Sequence, residues 1–550
     1  QINGSVKFIA EYVSRLSSIL YIKHLSFHSC KLKVANLAII FEDVNFINVQ
    51  LSDHSSNILN IMFLNISWFQ ESNILALNEP NIQFLSSDYL HFTIITANFS
   101  GAYVKLNSKY FSINFEDINV VQVVPYHILF QVSEEFQNSL SFNVIKMSNV
   151  TIRTNNQSDS TSEGEHLKTG CHFSVANCKI TLNNVSISGF NQAVYVSNQN
   201  FPKTNVMNLR LLIKQSLFTN NNSPSSGSGI CVMLTFCRVI AAFIKFQNTK
   251  FINNTAVSHG GAVFLNVDAC QVPFNVIIRN STFSDNNALL SGGALFCGSN
   301  LFCSIESCSF ESVNDKQRFQ KNVKGCLIYS KSAIKIGDTT LTYKSQSVMQ
   351  SANIIYIVRT RTANAIKKLD IKINCPVWQN FIYDQNYNFQ DGLTKFLLSC
   401  SICREHFYFP TTEVIKVLYK PGNSAYVMKG SNIVRKSLEC ERCPHSGSCK
   451  KGQVYPNPGF WGYISTNGVQ FTSCVPEYCC TGDEQAPCLQ INSCASHRTG
   501  TMCGTCKRGY SLSILSTDCV KNEKCYQSWV WPVALISALS YMLWFSIRED

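Results

Sequence analysis

The stretch that decides the fold lies between Phe218 and Leu295 and contains three copies of one pattern. The copies are Phe218-Thr-Asn-Asn then Gly227-Ser-Gly-Ile230, Phe251-Ile-Asn-Asn254 then Gly260-Gly-Ala-Val263, and Phe283-Ser-Asp-Asn286 then Gly292-Gly-Ala-Leu295. In each copy the glycine element begins nine residues after the Phe, and the Phe residues recur at intervals of 33 and 32. A fixed period of this length is typical of repeat architectures. A fourth, degraded copy is predicted through Phe319, Asn322 and Gly325-Cys326-Leu327-Ile328.

Short alternating apolar runs such as Phe111–Val121 and Ile180–Ile187 predict strands rather than helices. Together with the repeat they predict an all-β, right-handed parallel β-helix, in which each strand pairs with its copy in the next coil. The recurring Phe would stack inward, and Asn254 and Asn286 would occupy the following turn. The Gly-Gly-Ala would let the backbone bend. A β-sandwich series would lack this regular register, and a propeller blade would need roughly 40 to 50 residues.

Composition narrows the class of protein. Charged residues make up 15% of the 550 residues and apolar residues 45%, which excludes a disordered polymer. The net charge of +12 comes from 46 basic and 34 acidic residues. No block of five like charges exists, so nucleic acid is not expected as a partner. The excess of basic residues favours anionic glycans or lipid headgroups as binding partners.

Near its end the chain carries a long apolar segment. Trp529–Ile547 has 19 residues and no charge, and as a helix it would be about 28 Å long, close to the hydrocarbon thickness of a bilayer. We predict a transmembrane helix over 528–548, with a buried core helix as the alternative. Because the chain starts at Gln1 and only Arg548–Asp550 follow this segment, we expect truncation at both ends.

Cysteines are unevenly distributed. Fifteen of the 25 lie between Cys375 and Cys525, a density typical of disulfide-built secreted modules. The odd total leaves at least one thiol free within this chain, or paired beyond it. CxxC pairs can also bind zinc, but no His stands at partner spacing, so disulfides are favoured. The predicted disulfide cysteines are Cys400, Cys403, Cys440, Cys443, Cys449, Cys474, Cys479, Cys480, Cys488, Cys494, Cys503, Cys506, Cys519 and Cys525.

Asn-x-Ser/Thr sequons are confined to the first part of the chain. With the clustered cysteines and the apolar C-terminal segment, they predict an extracellular or lumenal location for residues 1–528. The candidate glycosylation sites are Asn3, Asn65, Asn98, Asn149, Asn156, Asn184, Asn221, Asn253 and Asn280.

The repeat resembles that of the chlamydial polymorphic outer-membrane protein family, in which FxxN is followed by GGA and an aliphatic residue. Here the motif stands as FINN with GGAV and as FSDN with GGAL, clearly over residues 200 to 330. The resemblance implies a surface-displayed β-helix with adhesive roles. Those proteins end in a translocating β-barrel, whereas this chain ends in a cysteine-rich region and an apolar helix, which argues against a bacterial autotransporter.

The cysteine-rich region carries two further resemblances. The segment from Arg498 to Ser511 is similar to the RTGxxCGxCxxGYS stretch of laminin/EGF-like and ephrin-receptor-like modules. Cys440-x-x-Cys443-Pro and Pro456–Tyr463 (PNPGFWGY) resemble a stretch in large membrane proteins of sponges, cnidarians and similar animals. Those proteins place a β-helix before this module and continue into membrane helices. We interpret Phe460-Trp461 as a small core cluster under the disulfides.

No catalytic constellation is visible. His259 precedes Gly260 and is predicted to be an exposed turn histidine without an acidic partner. Asp159, Glu163 and Glu165 fall in a polar loop, 155–166, which is typical of a solvated insertion. No phosphate-binding loop, nucleophile elbow, zinc-protease helix or dinucleotide fingerprint occurs. We therefore predict no catalytic residue, no metal ligand and no cofactor.

The sequence thus predicts a β-helix over 1–345, a connecting region with a cysteine pair over 346–439, a cysteine-rich module over 440–526 and the membrane helix. The expected function is a plasma-membrane protein for adhesion or recognition, binding extracellular glycans or surface proteins. Two alternatives stay open. The first is a polysaccharide lyase or hydrolase, which needs carboxylates on adjacent coils. The second is the ectodomain of a multi-pass signalling receptor.

Overall fold

The structure is a computed structural model of the 550-residue chain. It divides into a β-helix unit (Gln1–Pro376, Phe381–Cys400 and Glu413–Ser437) and a cysteine-rich unit (Val377–Asn380, Ser401–Thr412 and Leu438–Asp550). The structure describes residues 2–9, 19–35, 38–53, 58–69, 82–100, 104–122, 130–134, 143–154, 169–175, 177–198, 206–235, 238–239, 243–268, 274–312, 324–343, 352–359, 366–374, 379–388, 393–408, 415–419, 426–429, 432–434, 440–450, 453–465, 468–483, 488–513, 516–524 and 529–548.

Strands of the β-helix unit pair in parallel with their copies in the next coil, which confirms the predicted architecture. Each coil passes through three faces in turn. We call them the first face (the strand of Leu211), the second face (the strand of Phe218) and the third face (the strand of Ile230). Long strands continue from one face to the next, and the two longest run over all three.

Each strand of the parallel coils can be assigned to the face that it forms or on which it begins. The strands that form or include the first face are Ile19–Lys23, Ala38–Glu42, Ile58–Phe69, Ile82–Ser100, Val104–Gln122, Asn143–Thr154, Asn177–Ser188, Val206–Lys214, Phe243–Gln247, Phe274–Arg279, Leu301–Glu306, Ala333–Tyr343 and Ile366–Asn374. Strands beginning on the second face are Ser26–Ala35, Asn45–Ile47, Leu217–Thr219, Lys250–Ile252, Thr282–Ser284 and Ser309–Ser312. The other strands of the parallel coils, mainly on the third face, are Ile2–Ile9, Gln50–Asp53, Phe130–Glu134, Thr169–Ser174, Gln192–Ser197, Ile230–Thr235, Arg238–Val239, Val263–Asp268, Leu295–Cys297, Ile328–Ser330 and Ala352–Arg359.

One inward column of the second face runs through the whole unit. Its aromatic rings stack, with centroids 5.2 Å apart between Phe218 and Phe251 and 4.8 Å between Phe251 and Phe283. Every member is buried, because successive coils exclude water from both sides of each side chain. The column consists of Phe27, Phe46, Trp68, Phe99, Val120, Ile152, Ile187, Phe218, Phe251, Phe283, Phe310, Leu341 and Ile373.

The column differs from the prediction at two points. Phe310, not Phe319, follows Phe283, with ring centroids 4.4 Å apart, and Phe319 lies outside the described residues. The glycine element of this coil is placed as predicted, since Gly325 takes a positive φ of 65° and Ile328 pairs with Leu295. The parallel ladder also extends beyond residue 345, to Asn374.

A left-handed residue forms the corner between the first and second faces in coil after coil. Asn and Asp are frequent there because they tolerate positive φ at small cost. Side chains bond along this corner, as from Asn149 Nδ2 to Asp117 Oδ1 at 2.8 Å and from Asn184 Nδ2 to Asn149 Oδ1 at 2.9 Å. The positions are His24, Asp43, Asn65, Thr96, Asp117, Asn149, Asn184, Gln215, Asn248, Asn280, Ser307 and Asp338.

The FxxN motif builds the next corner, where the three short strands Asn222–Ser223, Thr255–Ala256 and Asn287–Ala288 also pair. Asn254 is buried, and its Nδ2 donates to Phe218 O and to Asn286 Oδ1, both at 2.9 Å. Its Oδ1 accepts from Asn221 Nδ2 at 2.8 Å. The motif therefore supplies an internal asparagine ladder, as predicted for Asn254 and Asn286.

Antiparallel strands close the C-terminal end of the parallel ladder. Leu393–Ile402 pairs with Ala352–Arg359, and Ile415–Tyr419 pairs with Ile366–Asn374. Such pairing covers hydrogen-bonding groups that an open last coil would expose. The remaining strands of this sheet are Gln379–Asn388, Tyr426–Lys429 and Asn432–Val434.

The cysteine-rich unit is made of short hairpins followed by one helix, Val530–Arg548. Its strands are Phe407–Tyr408, Glu441–Arg442, Gly447–Lys450, Gln453–Pro456, Phe460–Ser465, Gly468–Ser473, Arg498–Thr499, Thr505–Cys506, Tyr510–Leu512 and Cys519–Lys521, and its 3-10 turns are Thr501–Cys503 and Asn522–Lys524.

Candidate functional site

The first face carries the largest group of like charges on the described β-helix. Its outward positions alternate with the buried ones, so charges on different strands line up along the coil axis. Lys179 is the direct register partner of Arg210, and Lys214 lies two coils from Arg279 in one column. We call these side chains the basic face: Lys146, Lys179, Arg210, Lys214, Lys245, Arg279 and Lys335.

Only one carboxylate stands among them in the described strands from 143 to 337. Glu306 pairs with Arg279 Nε at 2.9 Å and with Lys335 Nζ at 3.0 Å. Lys335, followed by Arg279, holds the pKa of the Glu306 carboxyl below its usual range. At this end of the basic face Glu306 therefore offsets one of two positive charges, while Lys146 and Lys179 are exposed further along it.

The third face is different, because its outward positions carry an aromatic stack. Ring centroids lie 4.9 Å apart between Phe264 and Phe296, 5.0 Å between Phe296 and Tyr329, and 5.6 Å between Tyr329 and Tyr356. Phe296 is only 4% exposed. Since the ring faces already contact one another, they offer no open platform on which a sugar could stack. We interpret this stack as a packing feature.

His259 lies beside the aromatic stack. Its Nδ1 is 2.6 Å from Ser291 Oγ, and its ring centroid is 5.0 Å from that of Phe296. Burial, and then the charge of Lys331, lower its pKa. His259 forms an isolated β-bridge with Ser291 beside the Gly260 bend, and the expected exposure is wrong, because packing on the aromatic rings half-buries the imidazole.

The enzyme alternative needs carboxylates facing each other on neighbouring coils. No two carboxylates are register partners in the strand pairs that the structure describes; Glu116, for example, lies opposite Ser148, and Glu311 opposite Ser284. The described ranges also hold no group of three His, Cys, Asp or Glu side chains that could bind a metal ion. The predicted polar loop with Asp159, Glu163 and Glu165 lies outside the described residues.

His172, at the start of the third face, makes stability sensitive to acid. Burial lowers its pKa from 6.5 to about 4, and its Nε2 lies 3.3 Å from Ser197 Oγ. Between these two pH values the unfolded chain binds a proton that the folded chain does not. Stability therefore falls as the pH drops from 6.5 towards 4, by about 1 to 3 kcal/mol for this group.

The replacement His172→Gln keeps a polar group near Ser197 and removes the titration. We expect its unfolding free energy, measured in urea at pH 7, 5.5 and 4.5, to fall less on acidification than that of the parent chain. Equal losses in the two proteins would contradict the assignment to His172.

The described sequons occupy distinct places on the coils. Asn65, Asn149, Asn184 and Asn280 are exposed at the corner after the first face, and there each stands at a left-handed position. Exposed sequons elsewhere in the described part are Asn98 and Asn253. Asn156 and the side chain of Asn3 lie outside the described residues.

Asn221 must be removed from the predicted glycosylation sites. The residue is 1% exposed, and its Oδ1 accepts from the backbone N–H of Phe190 at 3.0 Å while its Nδ2 donates to Asn254. A glycan on Nδ2 would have to occupy the interior of the coil.

The cysteine-rich unit is held by disulfides, as predicted. Members of one CxxC pair belong to different bonds, so that each pair joins two loops instead of closing on itself. Cys400 is also disulfide-bonded, whereas Cys525 lies outside the described residues. The bonds between described cysteines are Cys403–Cys440, Cys443–Cys449, Cys474–Cys479, Cys480–Cys488, Cys494–Cys503 and Cys506–Cys519.

Arg498 of the RTG motif has a structural role that the sequence did not reveal. It is buried, its guanidinium lies 3.5 Å from the ring centroid of Tyr478, and it donates to Cys503 O at 3.1 Å and to Thr517 O. A buried planar cation of this kind cross-links three segments. The positive φ of Gly500 explains the glycine of the motif.

The core under the disulfides is also centred elsewhere than predicted. Tyr408, Val454 and Val469 form it, and Phe471 and Ile491 pack against it. Phe460 and Trp461 are half-buried on the strand that pairs with the strand of Val469 and are not part of this core.

The described cysteines of the parallel coils, from Cys30 to Cys326, form no disulfide bonds. Cys231, for example, is a free buried thiol whose burial raises its pKa to about 12, so it stays protonated and unreactive. The described cysteines of the coils that form no disulfide are Cys30, Cys171, Cys178, Cys231, Cys297, Cys303, Cys308 and Cys326.

The C-terminal helix is long and apolar enough to cross a membrane, and none of its residues is buried against the rest of the chain. Its side chains include Trp531, 79% exposed, and Trp544, whose ring lies 4.9 Å from the Arg548 guanidinium. An exposed apolar helix of this length needs an apolar environment. The buried-core alternative is therefore not supported.

Comparison with known proteins found no matching family model, no matching curated protein and no matching solved structure. The resemblances of the repeat and of the cysteine-rich segment accordingly rest on the quoted residues.

Proposed function

We propose that this protein is a membrane-anchored extracellular recognition protein, displayed at the plasma membrane, whose β-helix binds glycans or proteins of the surroundings. The observation that carries the proposal is the order of parts along the chain. A solenoid with long exposed faces precedes a disulfide-bonded unit, and a helix of membrane length follows at once.

Each part supports one element of the proposal. Disulfides persist in oxidising compartments, which favours an extracellular location. The interior of the β-helix is filled by packed side chains, so its outer faces are the surfaces left for binding. Similarity of the repeat to adhesive chlamydial proteins, and of the cysteine segment to EGF-like modules, points the same way.

The proposal is tested by displaying the full chain on suspension cells and measuring attachment to surfaces coated with extracellular polysaccharides or proteins. We expect at least one coating to retain these cells, but not untransfected cells or cells displaying an unrelated single-span protein. Full surface expression without retention on any coating, compared with both control cells, would count against a recognition role.

A further inference from the structure

We propose that the basic face is the binding site for a linear sulfated polysaccharide. This inference rests on the proposed extracellular recognition function and names its ligand class. The basic face is defined by the residues already given, from Lys146 to Lys335, on the first-face strands.

The shape of the basic face suits an extended chain. Strands in neighbouring coils lie about 4.8 Å apart, so the coils from Lys146 to Lys335 span about 29 Å along the solenoid. Along one strand, the four-residue step from Arg210 to Lys214 corresponds to roughly 13 Å. A strip of these proportions can follow several sugar units of a polymer, whereas a compact ligand would contact only part of it.

Charge and exposure indicate the chemistry of the ligand. Lys146, Lys179, Lys214 and Lys245 have no carboxylate within ion-pairing distance in the part of the chain that the structure describes. Their charges are therefore available to external anions. Sulfate groups, which stay ionised at all physiological pH values, can pair with lysine and arginine side chains repeatedly along a polymer.

The same face at the other end of the solenoid provides the contrast. Its described outward charges in the first coils are balanced, with Lys23 paired to Glu42 and with Glu116 further along. The positive strip is thus a local feature of the coils after Asn143 and does not follow from the fold itself. The third face, filled by its own aromatic stack, offers no comparable row of charges in its described strands.

The test uses the full chain in nanodiscs of neutral phosphatidylcholine and immobilised heparin as the sulfated probe. The variant Lys146→Gln, Lys179→Gln, Lys214→Gln, Lys245→Gln removes four charges from the basic face. A matched control, Lys31→Gln, Lys33→Gln, Lys450→Gln, Lys507→Gln, removes four exposed charges elsewhere. Equal thermal midpoints for the three proteins would verify that each is folded.

We expect the parent chain and the control to bind heparin at 0.15 M salt and to lose binding at 0.5 M. The basic-face variant should bind at least about 30-fold more weakly, from four lost contacts of modest strength. Unchanged affinity of this variant, or an equal loss in the control, would overturn the assignment. Preference for vesicles containing phosphatidylserine over heparin would overturn it in favour of a membrane surface.

Failure here can be distinguished from failure of the proposed function. If cells displaying the chain attach to a coating but the purified chain does not bind heparin, the recognition function is supported and the proposed sulfated ligand is wrong. If neither assay gives binding, both proposals fall.

Discussion

Replacing Gly261 by alanine is expected to prevent the coils around it from stacking and to abolish surface display of the chain. A Cβ at this position would collide with the carbonyl oxygens of Gly293 and Asn287. Both atoms belong to backbone of the next coil, so no side-chain rotation can relieve the clash. We expect destabilisation above about 3 kcal/mol, the upper end for overpacking a well-filled interior.

Gly337→Ala is the matched control. The nearest atom to a Cβ there would be Glu306 Cγ at 3.9 Å, an ordinary contact. Alanine at this position should leave the thermal midpoint unchanged or raise it slightly, because glycine weakens a strand. Surface staining of intact cells and thermal unfolding of purified chain measure both effects. Parent-like stability of the Gly261→Ala chain would contradict the coil packing described above.

Replacing Asn254 by alanine is expected to cost about 3 to 5 kcal/mol of unfolding free energy. The change removes the buried side-chain hydrogen bonds of Asn254 to the carbonyl of Phe218, to the amide of Asn221 and to the Oδ1 of Asn286. A buried polar group that loses its hydrogen bond costs about 1 to 3 kcal/mol. This variant keeps the sequon at Asn253 and its control below removes it, so the proteins are compared after enzymatic removal of N-glycans.

The control for Asn254 is its neighbour. Asn253 is exposed and has a φ of 52°, which glycine adopts freely, and it donates one exposed hydrogen bond to Asn220. Asn253→Gly should therefore cost less than about 1 kcal/mol. Urea unfolding of the two purified variants gives the comparison. Similar losses in both would show that the buried asparagine ladder does not stabilise the coils.

The sequence repeat predicts the fold only in those coils that carry its recognisable Phe and Gly residues. Phe251 and Phe283 with Gly260 and Gly292 reveal the period, because the phenylalanine rings stack from coil to coil and a Cβ at either glycine would collide with backbone atoms. In other coils the same inward position holds Trp68, Val120 or Ile152, which satisfy packing equally well. Many apolar residues fit one buried position, so the pattern fades there although the ladder continues.

The basic face was not predicted from the sequence, for a related reason. Its charges are scattered along the sequence, and their proximity appears only after each coil is aligned on its neighbour. The intervals between Lys146, Lys179, Arg210 and Lys245 do approximate the coil period, so aligning lysines as well as phenylalanines would have found the strip. Disulfide pairing was not predictable, because CxxC spacing is compatible with many connectivities.

The central claim, a β-helix held outside the cell by a C-terminal helix, is tested most directly by mapping N-glycans by mass spectrometry on the chain expressed in animal cells. Glycans are attached only on the lumenal side. We predict occupancy at exposed sequons, including Asn65, Asn98 and Asn280, and none at Asn221. Absence of glycans from every sequon would contradict the extracellular location, and a glycan on Asn221 in folded surface protein would contradict the coil structure itself.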